Sequence, residues 1–211
     1  MKTETRTIDA YPVTEALPPL TIRAATASEP ARLSGYAIVF DTVSCNLGGF
    51  FEVIKPGASK RSIDSGVDIR ALIDHDPAKI LGRTSAGTLK LGEGLRGVWT
   101  DIDLPDTSYA RDLLESVKRK DIHGMSFGFY VPPDGDTWEE QADGSILRIV
   151  NRLDLIEVTA TSIPAYNATS LTVRAEPEIV AKAQAMVEAR HSAARPELAR
   201  CWNQFRRLII G

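Results

Sequence analysis

From Arg32 to about Arg174 the chain alternates short apolar runs with turns rich in Gly, Pro and Asp, the texture of short strands joined by tight connections. The pattern predicts strands near Ser34–Asp41, Phe50–Ile54, Ile69–Ile73, Ile80–Thr84, Thr88–Leu91, Leu95–Asp103, Gly124–Val131, Thr137–Ala142, Ser145–Val150 and Leu153–Ala160. Asp143-Gly144, between two of them, matches a two-residue hairpin turn, and antiparallel pairing is expected to dominate. Thr107–Lys120 has a different period: Ala110, Leu113, Leu114 and Val117 fall at i, i+3, i+4 and i+7, and Lys118, Arg119 and Lys120 suit the negative end of a helix. A shorter helix is expected from Pro56, because proline at the first helical position removes an N–H that would be unpaired anyway.

Both ends depart from this texture. Residues 1–31 are rich in Thr, Ala, Glu and Pro, with Pro18-Pro19 interrupting regular structure, and read as a flexible arm. Residues 175–211 are Ala-rich, with Ile179, Ala183, Met186, Val187 and Arg190 at helical spacing, and read as a helical tail. The expected organisation is therefore an arm, one folded body over 32–174, and the tail.

Composition adds mostly exclusions. The 211 residues, 43% hydrophobic and 25% charged, suit one globular domain with extensions. With 25 basic and 28 acidic side chains the net charge is −3, against the positive field of a nucleic-acid binder; the tail is +2 and the rest −5. The first twenty residues lack a continuous apolar stretch, and no window approaches the ~20 apolar residues of a membrane span, so a soluble intracellular protein is expected. Cys45 and Cys201, far apart and with no CxxC nearby, are expected to be free thiols, with no metal and no cofactor.

Three segments carry candidate chemistry. His75, one of three histidines, follows a strand in Leu-Ile-Asp-His-Asp-Pro, where Pro77 helps fix a turn and a rigid strand end can present a reactive group. Its neighbours Asp74 and Asp76 suggest a metal site, but three adjacent residues cannot all face one ion. Ser126 lies where a helix and a glycine turn give way to a strand; alternation places Phe127, Phe129 and Val131 on the apolar face and Ser126, Gly128 and Tyr130 on the other, away from the core. Gly124 and Gly128 leave room beside it for a backbone or a substrate. Glu157 shares the more polar face of the last strand with Leu155 and Thr159, opposite Ile156, Val158 and Ala160; a carboxylate in such a strand needs a partner, and a histidine would supply one. Asp154 has the opposite parity and is the weaker candidate for the same role.

Gly124-Met-Ser-Phe-Gly128 also fits the G-x-S-x-G nucleophile elbow of α/β-hydrolases. That elbow needs strand, turn, then helix, whereas here a helix precedes the serine and a strand follows it. The fold also requires a histidine after the acid, and His191 in the tail is the one histidine so placed. The elbow reading is set aside.

Together, His75-Asp76 after a strand, the run Gly124-Met-Ser-Phe-Gly-Phe129, and Glu157-Val-Thr159 with Pro164-Ala-Tyr166 downstream resemble the prohead maturation proteases of tailed phages. The likeness spans about Leu33 to Arg174, including Gly35-Tyr-Ala-Ile-Val-Phe40 and Phe51-Glu-Val-Ile-Lys-Pro-Gly57. It implies an α+β, β-rich fold akin to the herpesvirus capsid proteases: an antiparallel β-barrel wrapped by helices, here with a helical tail. It further implies Ser126 as nucleophile, His75 as general base and Glu157 as the group that orients His75, with His123 incidental and no oxyanion-hole residue matched. Such enzymes act in the bacterial host's cytoplasm inside the assembling prohead, cleaving scaffold protein or the scaffold-like amino-terminal part of the major capsid protein, and commonly themselves. Herpesvirus relatives dimerise, but no surface for a homodimer is identifiable here. Two other readings stay open on sequence: a non-catalytic capsid-assembly or scaffold module, and a serine esterase or amidase acting on small molecules.

Overall fold

The computed structural model describes residues 20–162 and, in the tail, residues 181–183, 185, 186 and 189, which are helical. The chain runs β1 (Thr21–Arg23), β2 (Arg32–Val39), β3 (Phe51–Ile54), α1 (Lys60–Asp64), β4 (Arg70–Ile73), β5 (Asp76–Arg83), β6 (Leu89–Glu93), β7 (Gly97–Asp103), α2 (Ser108–Arg119), β8 (Gly124–Tyr130), β9 (Asp136–Glu140), β10 (Ile146–Val150) and β11 (Asp154–Thr161). Every expected strand is present with shifted ends. β1 falls within the stretch expected as an arm, and pairs antiparallel with β2.

Three sheets organise these strands, in the orders β1-β2-β7-β6, β3-β10-β9 and β5-β4-β11-β8. The chain is thus β-rich α+β, but the expected closed antiparallel barrel does not form among the described residues. Closure requires two hydrogen-bonded neighbours for every strand, whereas β1, β6, β3, β9, β5 and β8 each have one. Two ladders are also parallel, β10 on β3 and β11 on β4, each joining segments far apart in sequence. β8 does approach the first sheet by packing: the Thr100 hydroxyl lies 3.4 Å from the Met125 sulfur, and a Cβ on Gly35 would stand 3.4 Å from that same sulfur.

The main core joins the first and third sheets to the helices, with Leu33, Ile38, Leu81, Val98, Ile102, Leu113, Phe127, Leu155 and Val158 among its members. α2 buries Ala110, Leu113 and Val117 as its period predicts, and ends at Lys120 with φ +68°, where the Asp121 N–H reaches back to the Ser116 carbonyl. The Tyr109 hydroxyl donates to the Ile80 carbonyl at 2.9 Å and ties α2 to β5.

The shorter helix begins at Lys60, four residues after Pro56. Its start is held by Glu93, which accepts both the backbone N–H and the hydroxyl of Ser59. A smaller apolar cluster joins Ile146 of the β3-β10-β9 sheet to Leu47, Phe50 and tail residue Ala183. Beside it Arg148, buried, donates to Glu52 at 3.0 Å and to Asp136 at 2.8 Å.

Candidate active site

The third sheet, β5-β4-β11-β8, brings the singled-out segments together because β11 runs through its middle. β11 pairs with β8 antiparallel, so Thr159 stands opposite Ser126, Val158 opposite Phe127 and Glu157 opposite Gly128. On its other side it pairs with β4 in parallel, so Glu157 stands opposite Arg70 and Thr159 opposite Leu72. Directly opposed residues share a face. Phe127, Phe129 and Val131 pack with the core as alternation requires, and Ser126, Gly128, Glu157 and Thr159 occupy the other face.

Two details differ from simple alternation. Leu155 was expected on the polar face with Glu157, but it is core, 2% exposed. The ladder shifts register between Leu155 and Glu157, and such a bulge inserts a residue and reverses parity across it. The Leu155 N–H, displaced from the ladder, donates to the buried Ser62 hydroxyl of α1 at 2.9 Å. The second difference concerns the serine. Its face is largely buried: Ser126 is 6%, Glu157 9% and Thr159 0% exposed, while the His75 side chain stays half exposed.

His75 arrives from a hairpin. Ile73 and Asp76 pair across it, and the two residues between them, Asp74 and His75, both have left-handed backbones, φ +46° and +58°. That is the two-residue turn whose twist suits antiparallel strands. Pro77 costs no ladder bond because β5 is an edge strand. The turn leans on β11: the Asp74 N–H donates to the Ala160 carbonyl at 3.1 Å, and the His75 N–H to the Thr159 hydroxyl at 3.0 Å.

The imidazole Nδ1 lies 2.5 Å from Glu157 Oε1. An ionised carboxylate only accepts, so Nδ1 carries the proton and Nε2 is left as the basic nitrogen. The hydrogen bond to Glu157 raises the His75 pKa above its ordinary value; burial opposes this, and the charges of Glu157 and Asp74 add to it. The other carboxylate oxygen, Oε2, is buried with no partner among the described residues. Gly128 makes the arrangement possible, since a Cβ there would sit 2.6 Å from Glu157 Oε1 and 3.1 Å from its Cγ. The room that Gly128 leaves is filled by the Glu157 side chain, not by an approaching substrate.

The structure thus places His75 and Glu157 in direct contact. Ser126 stands one strand from Glu157, opposite the threonine that receives the His75 N–H. Among the described residues no hydrogen bond joins the Ser126 hydroxyl to the His75 ring. Asp154, the alternative acid, faces Arg61 at 3.7 Å on the far side of the bulge. Asp76 accepts from the Ala78 N–H and pairs with Lys79, which holds its carboxyl below the usual range. His123 is exposed, just before β8. His191, Cys201 and Pro164-Ala165-Tyr166 lie outside the described residues. Sequence reasoning did not give Thr159 a role, although its alternation with Glu157 put both on one face.

Among known families, residues 19–183 match the model described as Caudovirus prohead serine protease. Comparison with curated proteins and with solved structures gives no match.

Proposed function

The chain belongs to the Caudovirus prohead serine protease family, and from that premise we propose that Ser126, His75 and Glu157 form its catalytic triad. The family assignment makes it a serine protease of capsid maturation. The single observation that carries the site assignment is the 2.5 Å contact between His75 Nδ1 and Glu157 Oε1, on the sheet face that also bears Ser126.

In the proposed mechanism, His75 Nε2 takes the Ser126 proton as the oxygen attacks the scissile carbonyl, then returns it to the leaving amine as the acyl-enzyme forms. Water attacks that ester by the same proton route, releasing the second product and restoring the serine. Glu157 keeps the ring in the Nδ1–H tautomer and stabilises the imidazolium formed during attack. The substrates we propose are scaffold protein or the scaffold-like amino-terminal part of the major capsid protein, and the chain itself, inside the assembling prohead. Among the described residues no helix is long and apolar enough to cross a membrane.

The test is intact-mass analysis of the full chain, alone and incubated with the cognate scaffold and capsid proteins. Wild-type protein is expected to generate fragments that vanish in Ser126→Ala. The same fragments from both proteins would refute the assignment. Turnover of small esters with untouched capsid and scaffold proteins would point instead to an esterase.

A further inference from the structure

We propose that Thr159 is a positioning residue for His75, setting the depth at which the imidazole meets Glu157 and Ser126; this rests on the triad reading above. The argument starts from the hairpin. In a two-residue turn of this kind the N–H groups of both central residues have no partner within the turn and ordinarily face water. Here both are turned onto β11. The Asp74 N–H meets a main-chain carbonyl, that of Ala160, which any residue at 160 would supply. The His75 N–H meets a side chain, the Thr159 hydroxyl at 3.0 Å, and a residue without a side-chain acceptor cannot supply that bond.

Thr159 is fully buried and lies on an interior strand of its sheet, paired on both sides. It is in register with Ser126 on one side and two residues from Glu157 on its own strand. One hydroxyl therefore references the base to the strand that carries the acid and to the partner strand that carries the nucleophile. The neighbouring turn needs that reference: two successive non-glycine residues hold left-handed backbones, a conformation that surrounding contacts must enforce. Its outward continuation cannot enforce it, because the ladder between β4 and β5 slips between the Ile73–Asp76 and Leu72–Ile80 pairs.

The experiment measures labelling of the full-length chain by a fluorophosphonate probe, in which serine oxygen displaces fluoride from phosphorus and the serine proton passes to the base. Rates are compared per folded molecule in wild type, Ser126→Ala, Thr159→Val, Thr159→Ala and Thr159→Ser, alongside NMR titration of His75. Thr159→Val keeps the shape and removes the acceptor, so labelling is expected to slow about 10- to 100-fold, the cost of a base misplaced by a fraction of an ångström to an ångström. The His75 midpoint, held up by Glu157 and Asp74, should fall toward the ordinary histidine value. Thr159→Ser should restore both.

A role confined to packing would lower thermal stability while leaving rate and midpoint at wild-type values, and that result in Thr159→Val or Thr159→Ala overturns the proposal. Should both variants fail to fold, hydrogen exchange in the wild type decides: a slowly exchanging His75 amide supports the bond to Thr159, and a freely exchanging one overturns it. Equal labelling of Ser126→Ala and wild type, or none of either, overturns the triad reading and this one with it. Labelling confined to Ser126 with a wild-type rate in Thr159→Val overturns the role of Thr159 by itself.

Discussion

Replacing Gly128 with alanine isolates the Glu157–His75 contact from the rest of the fold. The new methyl carbon would sit 2.6 Å from Oε1, 3.1 Å from Cγ and 3.2 Å from Cδ of Glu157. Ordinary contact begins near 3.4 Å, so the carboxylate oxygen must retreat by about 0.8 Å, and the side chain pivots as a unit because three of its atoms are crowded. A retreat of that size along the bond stretches 2.5 Å to about 3.3 Å, past the usual range, and Oε2, already unpartnered, offers no second anchor. The backbone does not resist the change: Gly128 is not among the positive-φ residues, and alanine reduces the entropy of the unfolded chain. Crowding a packed site costs about 1–3 kcal/mol, offset in part by the lower entropy of alanine in the unfolded chain, so the protein should stay folded, whereas turnover per folded molecule should fall by 10²- to 10⁴-fold, toward the ~10⁴-fold loss seen when the orienting acid of a serine protease is neutralised. The assay is steady-state cleavage of a scaffold-derived protein substrate, with unfolding in urea as control. Wild-type turnover in a folded Gly128→Ala protein would refute the claim that Glu157 acts by holding His75.

Four further outcomes rest on the same structure. Glu157→Gln should lower kcat steeply and move the acidic limb of the pH–rate profile to lower pH, because the hydrogen bond and charge that raise the His75 pKa are lost; the limb in wild type should lie above the ordinary ~6.5 of histidine. By the same linkage the ion pair's contribution to stability is complete below about pH 6.5 and disappears as pH rises through the raised folded-state value, so urea unfolding of wild type against Glu157→Gln should converge as pH rises above about 6.5. Asp154→Ala, which removes only a long, exposed contact with Arg61, should leave turnover unchanged and cost under about 1 kcal/mol in denaturation; a loss as deep as that of Glu157→Gln would reassign the acid. Arg148→Ala should destabilise the protein by about 3–5 kcal/mol by chemical denaturation, since Glu52 and Asp136 would both lose their buried cation, with turnover per folded molecule preserved.

What local pattern determines, it determined well. The strands, the helix over Ser108–Arg119 with its buried Ala110, Leu113 and Val117, and the inward phenylalanines 127 and 129 all follow from periodicity, because a side chain's direction is set by its own backbone. The three chemically distinctive segments were legible for a related reason: histidine is scarce in this chain, and a glutamate in an apolar strand demands a partner.

Pairing is a different kind of information. That β11 lies between β4 and β8, parallel to one and antiparallel to the other, is decided by how distant segments share one core, and no local period encodes it. The same holds for the bulge that turned Leu155 inward and for the open ladders that replaced a closed barrel. It holds for Gly128, whose missing Cβ makes space for a side chain from another strand, and for Thr159, whose hydroxyl meets an N–H 84 residues away in the chain. Sequence alone determined which groups can do chemistry and what faces they lie on. Tertiary structure decided which of them touch, because hydrogen bonds over 3 Å depend on strand register to a single residue, and register is a property of the packed whole.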